Sequence, residues 1–337
     1  MFRKFWLQIF HNKAIFGVLL LSFGLLVGFF FNQIISSQNN NCVSVFKFIN
    51  PDLDCELSNR KAESMDALQA KLGVLITSYK NTGKVDRVGV FARDLKSTRF
   101  VGVNENDIFY MASLLKLPLL VGGYKLAEVE PKILEEEVAY TGTPNLYGDQ
   151  YIKPEEVLEA GKTYTVRELM RRAVVDSDNT AAQLLFNFYP SEFLDRIVQA
   201  LGIKLKRQNG ETENPISART YANVFRMLYN ASYLTREYSD EALSVLTQTS
   251  YRNGAVAHLP QSVQVAHKFA ERTVVDPATN TVLFRQLHEC GIVYAQKGKE
   301  PYTFCIMTEG KNYDDLEKVL QDISKEIYDA LTSGSGD

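Results

Sequence analysis

Ser113 and Lys116 stand three residues apart in the stretch Tyr110-Met-Ala-Ser-Leu-Leu-Lys116. On an α-helix, positions i and i+3 share a face. The lysine amine can therefore stand beside the serine hydroxyl and accept its proton. Burial makes a lysine give up its charge, which suits it to work as a general base. The run Leu114, Leu115, Leu117, Leu119, Leu120 and Val121 predicts a buried helix, with the lysine desolvated in it. The same Ser-x-x-Lys spacing occurs at Ser44–Lys47 and Ser58–Lys61, both in polar sequence without an apolar helical face. Context separates the three. Only Ser113 follows a strand-like segment and leads into an apolar helix.

Other segments must position this pair. Apolar residues Leu68, Leu72, Leu75, Ile76 and Tyr79 recur at helical spacing between about Glu63 and Lys80. Val88–Arg93 and Thr98–Val103 read as strands around an Asp94–Ser97 turn. Residues 127–230 read as mainly helical. Within them Thr165-Val-Arg-Glu168 is a capping box opening a helix with Val166, Leu169, Met170, Ala173 and Val174 on one face. Ser177-Asp-Asn179, which occurs once, follows on a loop. A second helix then carries Ala181, Leu184, Leu185 and Phe188. Gln208–Pro215 is a polar loop, and Ser217 caps a helix through Leu228. Strands return at Val263–Phe269, which ends His-Lys-Phe-Ala-Glu271, and in a hairpin of Leu283–Ala295 with Tyr302–Thr308. Asp276–Asn280 is a turn, and an amphipathic helix over Asp314–Leu331 closes the chain. Strands at both ends and helices between imply one sheet built from distant segments. Terminal helices would cover one face and the helical insert the other.

Ser113-x-x-Lys116, Ser177-Asp-Asn179 and Lys268 come in the order of the Ser-x-x-Lys, Ser-Asp-Asn and Lys-Thr-Gly motifs. On these, residues 63–333 resemble class A β-lactamases and penicillin-binding proteins. Phe109-Tyr-Met-Ala-Ser113, Gly161-Lys-Thr-Tyr-Thr-Val166 and His288-Glu-Cys-Gly-Ile-Val293 are also similar to that family. The resemblance implies an α/β fold with an antiparallel sheet, terminal helices on one face and an all-helical lobe on the other.

It also implies an acyl-enzyme mechanism without metal or cofactor. Acyl transfer needs an activated hydroxyl, a proton path to the leaving nitrogen and donors for the oxyanion. Ser113 would attack and Lys116 would take its proton. Ser177 would relay a proton to the departing amine, and Asn179 would hold the substrate amide or Lys116. Lys268 would attract a substrate carboxylate. The backbone N–H groups of Ser113 and Glu271 would form the oxyanion site. Asp178 is expected to bond its own loop.

Two departures from the family pattern bear on substrate and turnover. The third motif reads Lys268-Phe-Ala270, without threonine and glycine. The loop Lys204–Ser217 lacks the Glu-x-x-Leu-Asn segment whose glutamate activates the deacylating water in class A β-lactamases. Glu211 and Glu213 are its only acids and read as solvated charges. The expected activity is a serine hydrolase opening β-lactams with slow release. The alternatives are a D-alanyl-D-alanine carboxypeptidase or transpeptidase on peptidoglycan stem peptides, and a non-catalytic wall-fragment binding module. The intact Ser113, Lys116 and Ser177 set argues against the last.

At the N-terminus, Ala14–Phe31 holds 18 residues without a charge. That length suffices for a short membrane span, extended to residue 35 by Ile34 and Ile35. Arg3, Lys4 and Lys13 precede it and the next cation is Lys47, so residues 1–13 are expected in the cytoplasm and the rest outside. Residues 36–62 read as a linker and 334–337 as a tail. An outside location permits disulfides, with Cys42–Cys55 and Cys290–Cys305 the simplest pairing. The net charge of −3 gives no basic footprint for nucleic acid.

Overall fold

The structure is a computed structural model that describes residues 46–51, 53, 64–97, 99–148, 150–204, 206–208, 211–295 and 299–332. The expected membrane span, the Cys42–Cys55 pair and the spacings at Ser44 and Ser58 lie outside the described residues. Among the described residues no helix is long and apolar enough to cross a membrane.

The chain opens with helix α1 (Asp66–Asn81) and strands β1 (Arg87–Asp94) and β2 (Phe100–Val103). A two-residue strand β3 (Phe109–Tyr110) and a 3-10 turn (Ala112–Leu115) lead into α2 (Lys116–Ala127). The lobe continues through the short strands β4 (Glu137–Ala139) and β5 (Thr163–Thr165). Helices α3 (Val166–Val175), α4 (Asn179–Phe188) and α5 (Ser191–Ala200) follow. Strands β6 (Lys206–Gln208), β7 (Glu211–Glu213) and β8 (Pro215–Ile216) precede α6 (Ala218–Tyr229) and α7 (Arg236–Leu246). Strands β9 (Gln264–Val275), β10 (Val282–Tyr294) and β11 (Tyr302–Gly310) and helix α8 (Tyr313–Thr332) complete the chain.

Five antiparallel strands form one sheet in the order β2-β1-β11-β10-β9. The first and last segments of the chain meet in its middle, where Val90 of β1 lies opposite Ile306 of β11. Terminal helices α1 and α8 cover one face. There Leu72, Ile76, Leu316, Leu320 and Ile323 bury themselves against Val88, Val90, Leu287, Phe304 and Ile306. On the other face α6 packs on β1, β10 and β11. Each fully buried Leu, Ile or Phe contributes roughly 1.5–3 kcal/mol relative to exposure, so these two layers carry the fold. Cys290 and Cys305 are register partners on β10 and β11 and form a disulfide, as expected.

Helix α2 is buried on every side, the mark of a central helix. A side chain at Gly123 would collide with Met170 of α3 and with Tyr189, so the glycine lets these neighbours approach. Thr165 caps α3, its Oγ1 accepting from the Glu168 N–H at 3.1 Å.

Four expectations are corrected. Ser113 sits in the 3-10 turn, and the α-helix proper begins at Lys116. Residues 140–162 are irregular where helix was expected: Gly142 and Gly161 take positive φ, and Pro144 and Pro154 interrupt the segment. The loop between Lys204 and Ser217 contains the β6–β7 hairpin. Strand β9 runs on to Val275 because Arg272–Val275 pairs with the long arm of β10, across a turn in which Asp276 Oδ1 accepts from the N–H groups of Ala278 and Thr279.

Candidate active site

The serine turn is held from three sides. Strand β3 pairs with β8, and the Met111 N–H continues this ladder to Asn214 O at 2.9 Å. The Tyr110 N–H donates to Gln286 Oε1 at 3.2 Å. His288 Nε2 meets Tyr110 O at 3.1 Å, while its Nδ1 accepts from the Thr308 N–H. One ring nitrogen thus donates and the other accepts, as in a neutral imidazole. Burial pushes the His288 pKa down to about 4, which keeps it neutral. Below the turn, Tyr221 Oη donates to Leu114 O at 2.8 Å. These contacts hold Ala112 at φ 45°, a left-handed conformation that costs a non-glycine residue on the order of 1–3 kcal/mol. Ser113 itself is half-buried.

Lys116 points into the lobe. Its Nζ donates to the backbone carbonyl of Ser177, to Ser177 Oγ at 3.1 Å and to Asn179 Oδ1 at 2.6 Å. Three acceptors thus surround the amine. Among the described residues no hydrogen bond joins Lys116 to Ser113, so the amine stands against the Ser177–Asn179 loop. Burial pushes its pKa down to about 7, against the upward pull of the Asp178 and Glu271 carboxylates.

Ser177 is a second residue with positive φ, at 54°. Asp178 is buried and caps α4: its Oδ1 accepts from the N–H groups of Thr180 and Ala181, and its Oδ2 from Tyr147 Oη. That is the local structural role expected of it. Gln150 completes the loop. Its Nε2 donates to Ser177 O at 3.1 Å, and its Oε1 accepts from the Asn179 N–H at 3.4 Å. Sequence reasoning missed Gln150 and Tyr147. The only signal was a long Gly- and Pro-containing stretch between predicted helices, the kind of segment that carries function.

Strand β9 forms the opposite wall. Lys268, Ala270 and Arg272 alternate onto the face turned to the lobe, while His267, Phe269 and Glu271 turn toward the terminal helices. Lys268 was expected to present its charge to a substrate carboxylate. It is instead 0% exposed. Its Nζ donates to Phe269 O at 2.7 Å and lies 4.0 Å from the Phe269 ring centroid. Burial and the neighbouring Lys116 hold its pKa well below the usual lysine range. Phe269 packs against Tyr251, with ring centroids 4.7 Å apart.

The Glu271 side chain has its own task. It accepts from the Ile152 N–H at 2.9 Å, and burial raises its pKa. Residues 146–152 therefore bridge the two walls: Leu146 to Thr180, Gln150 to Ser177, Ile152 to Glu271. Beside Lys268, His267 and Glu289 meet at 2.7 Å, both fully buried, and Glu289 Oε2 accepts from the Ala255 N–H at 2.6 Å.

Lys116, Ser177 and Asn179 thus form one hydrogen-bonded group with Lys268 nearby, and strand β9 packs against the 3-10 turn that carries Ser113. Among the described residues no group of acids, histidines or cysteines could hold a metal ion. A hydroxyl on a braced turn, three residues before a buried amine that is bonded to a second hydroxyl, can support proton-coupled acyl transfer.

Residues 67–331 match the model of the beta-lactamase enzyme family. Beta-lactamase L2 of Stenotrophomonas maltophilia is 36% identical over 100 residues, 30% of this chain; the chain spans 32% of that relative's length. Among solved structures, PBP-A superposes with a TM-score of 0.66 at 18% identity, covering 82% of this chain and 100% of that one. A PBP-A variant in acyl-enzyme complex with penicillin G gives 0.65 at 20%, covering 81% and 100%. A class A beta-lactamase from Mycobacterium abscessus gives 0.64 at 20%, covering 78% and 98%. At such identities these structures share the fold.

Proposed function

Because the chain belongs to the beta-lactamase enzyme family, we propose that it is a serine hydrolase that opens β-lactams through a Ser113 acyl-enzyme. The observation that carries this reading is Lys116: buried, with a pKa pushed down to about 7 and bonded to Ser177 Oγ. Neutral Lys116 takes the Ser113 proton as Oγ attacks the carbonyl carbon. The carbonyl oxygen gains charge and is held by the backbone N–H groups of Ser113 and Glu271. As the C–N bond breaks, the proton passes from Lys116 through Ser177 Oγ to the leaving nitrogen. Asn179 holds the amine in place during transfer. Lys268 acts from beneath, since its burial removes it from direct contact with a carboxylate.

Release is the slow step in this proposal. No Glu-x-x-Leu-Asn segment occupies residues 204–217, where the chain forms the β6–β7 hairpin. General-base assistance is worth about 10²–10⁴-fold, or roughly 3–5 kcal/mol. That missing segment also favours a second reading, D-alanyl-D-alanine carboxypeptidase or transpeptidase action on stem peptides, which uses the same Ser113 ester. The apolar, uncharged run Ala14–Phe31 behind Arg3, Lys4 and Lys13 supports placing the enzyme outside the cytoplasmic membrane, anchored by residues 14–35. Rapid mixing with a chromogenic β-lactam tests the hydrolase reading. A burst near one equivalent followed by slow turnover is expected, unaltered by Glu211→Gln or Glu213→Gln. Fast turnover without a burst would refute slow release.

A further inference from the structure

The wall formed by β9 carries two cations on its lobe face, and only one can meet a ligand. Lys268 is fully buried, whereas Arg272, four residues on, is half-buried and keeps some exposure. At about 3.4 Å per residue the two lie roughly 14 Å apart along the strand. The Arg272 guanidinium sits 4.1 Å from the centroid of the Tyr110 ring, three residues before Ser113. Its register partner is Gln286, which holds the Tyr110 N–H.

Arg272 makes no ion pair among the described residues. The acids around it are engaged elsewhere. The Glu271 side chain turns to the other face and accepts from Ile152, while Glu309 pairs with Arg87 and accepts from Gln286. The ring of Tyr110 orders the guanidinium without neutralising it, which leaves a preorganised, unspent positive charge. On the other side of the Tyr110 ring lies a groove of about 410 Å³ lined by Tyr110, Phe284, Gln286, Pro215, Arg87 and Glu309, whose carboxylate is held by Arg87 and Gln286. That size suits a side chain of a small ligand. The Tyr110 and Phe284 rings lie parallel there, 6.4 Å apart.

Direction follows from the proposed chemistry. The leaving nitrogen must face Ser177, on the Lys116 and Lys268 side of the nucleophile. The acyl portion then runs along the open edge of β9 toward Arg272, as an extended ligand does when it lies against an edge strand. We propose that Arg272 and the groove behind Tyr110 form an acyl-side subsite that selects substrates bearing a carboxylate on the acyl side chain. This rests on the Ser113 acyl-enzyme reading and adds a substrate class to it.

Benzylpenicillin and α-carboxybenzylpenicillin differ by one carboxylate on the acyl side chain, and second-order acylation constants for both test the inference in the full-length protein. Wild type is expected to favour the carboxylated compound. Arg272→Gln should lower the ratio of the two constants about tenfold, the scale of one charge-assisted hydrogen bond. Arg272→Lys should retain part of the preference, and added salt should shrink it in wild type. The subsite is overturned if Arg272→Gln leaves the ratio unchanged while both penicillins still label Ser113. If neither labels Ser113 in wild type, the acyl-enzyme reading falls and the subsite with it.

Discussion

In the proposed mechanism Lys116 sets the pH at which Ser113 is activated. Burial moves the amine from the ordinary lysine range to about 7. Only the neutral amine can take a proton, so acylation is lost as pH falls through that value. With a pKa of about 7, roughly nine-tenths of the amine is neutral at pH 8, half at pH 7 and one-tenth at pH 6. The acylation rate constant should therefore plateau above pH 8 and fall about tenfold by pH 6. An ordinary lysine would instead give a rate still climbing tenfold per unit at pH 9. Asp178 pulls the Lys116 pKa upward, and Asn retains the capping oxygen for Thr180 and Ala181. Asp178→Asn should thus move the midpoint downward and leave the plateau in place. Lys116→Arg, which cannot deprotonate, should lose about 10²–10⁴-fold at every pH. Stopped-flow labelling with a fluorescent penicillin between pH 5.5 and 9.5 measures all three. A flat profile over that range, or a midpoint near 10, refutes Lys116 as the base.

Two further outcomes follow from the bridge between the walls. Gln150→Leu leaves Ser177 O short of one donor and the Asn179 N–H without its acceptor. It should cost about 1–3 kcal/mol in chemical denaturation and slow acylation; unchanged values would remove Gln150 from the site. Glu271 has a folded-state pKa above its unfolded value, so its contribution is full below the ordinary carboxyl range and declines as pH rises through the folded value. Glu271→Gln should gain stability relative to wild type between pH 4 and 8. Parallel melting curves would contradict the burial cause.

The burial of Lys116 was legible because the apolar run around it sets this Ser-x-x-Lys spacing apart from the two others. The order of elements was legible from periodicity in α1, α3 and α8 and from the β10–β11 hairpin. The bridge was not. Residues 140–162 have neither helical nor strand period, and Gln150 matters only because folding sets it beside Ser177. The burial of Lys268 was equally hidden, since a strand lysine reads as solvated until the fold sets its Nζ against Phe269 O and the Phe269 ring. The His288 strut needs both Tyr110 O and the Thr308 N–H, which come from segments far apart in the chain.

The central claim is that Ser113 Oγ forms the ester. Incubate the protein and its Ser113→Ala and Ser177→Ala variants with benzylpenicillin, quench, digest and weigh the peptides. One penicilloyl adduct is expected, on the peptide carrying Ser113. None is expected in Ser113→Ala, and a slowed but present adduct at the same residue in Ser177→Ala. An adduct on another residue, or one that survives in Ser113→Ala, would contradict the claim.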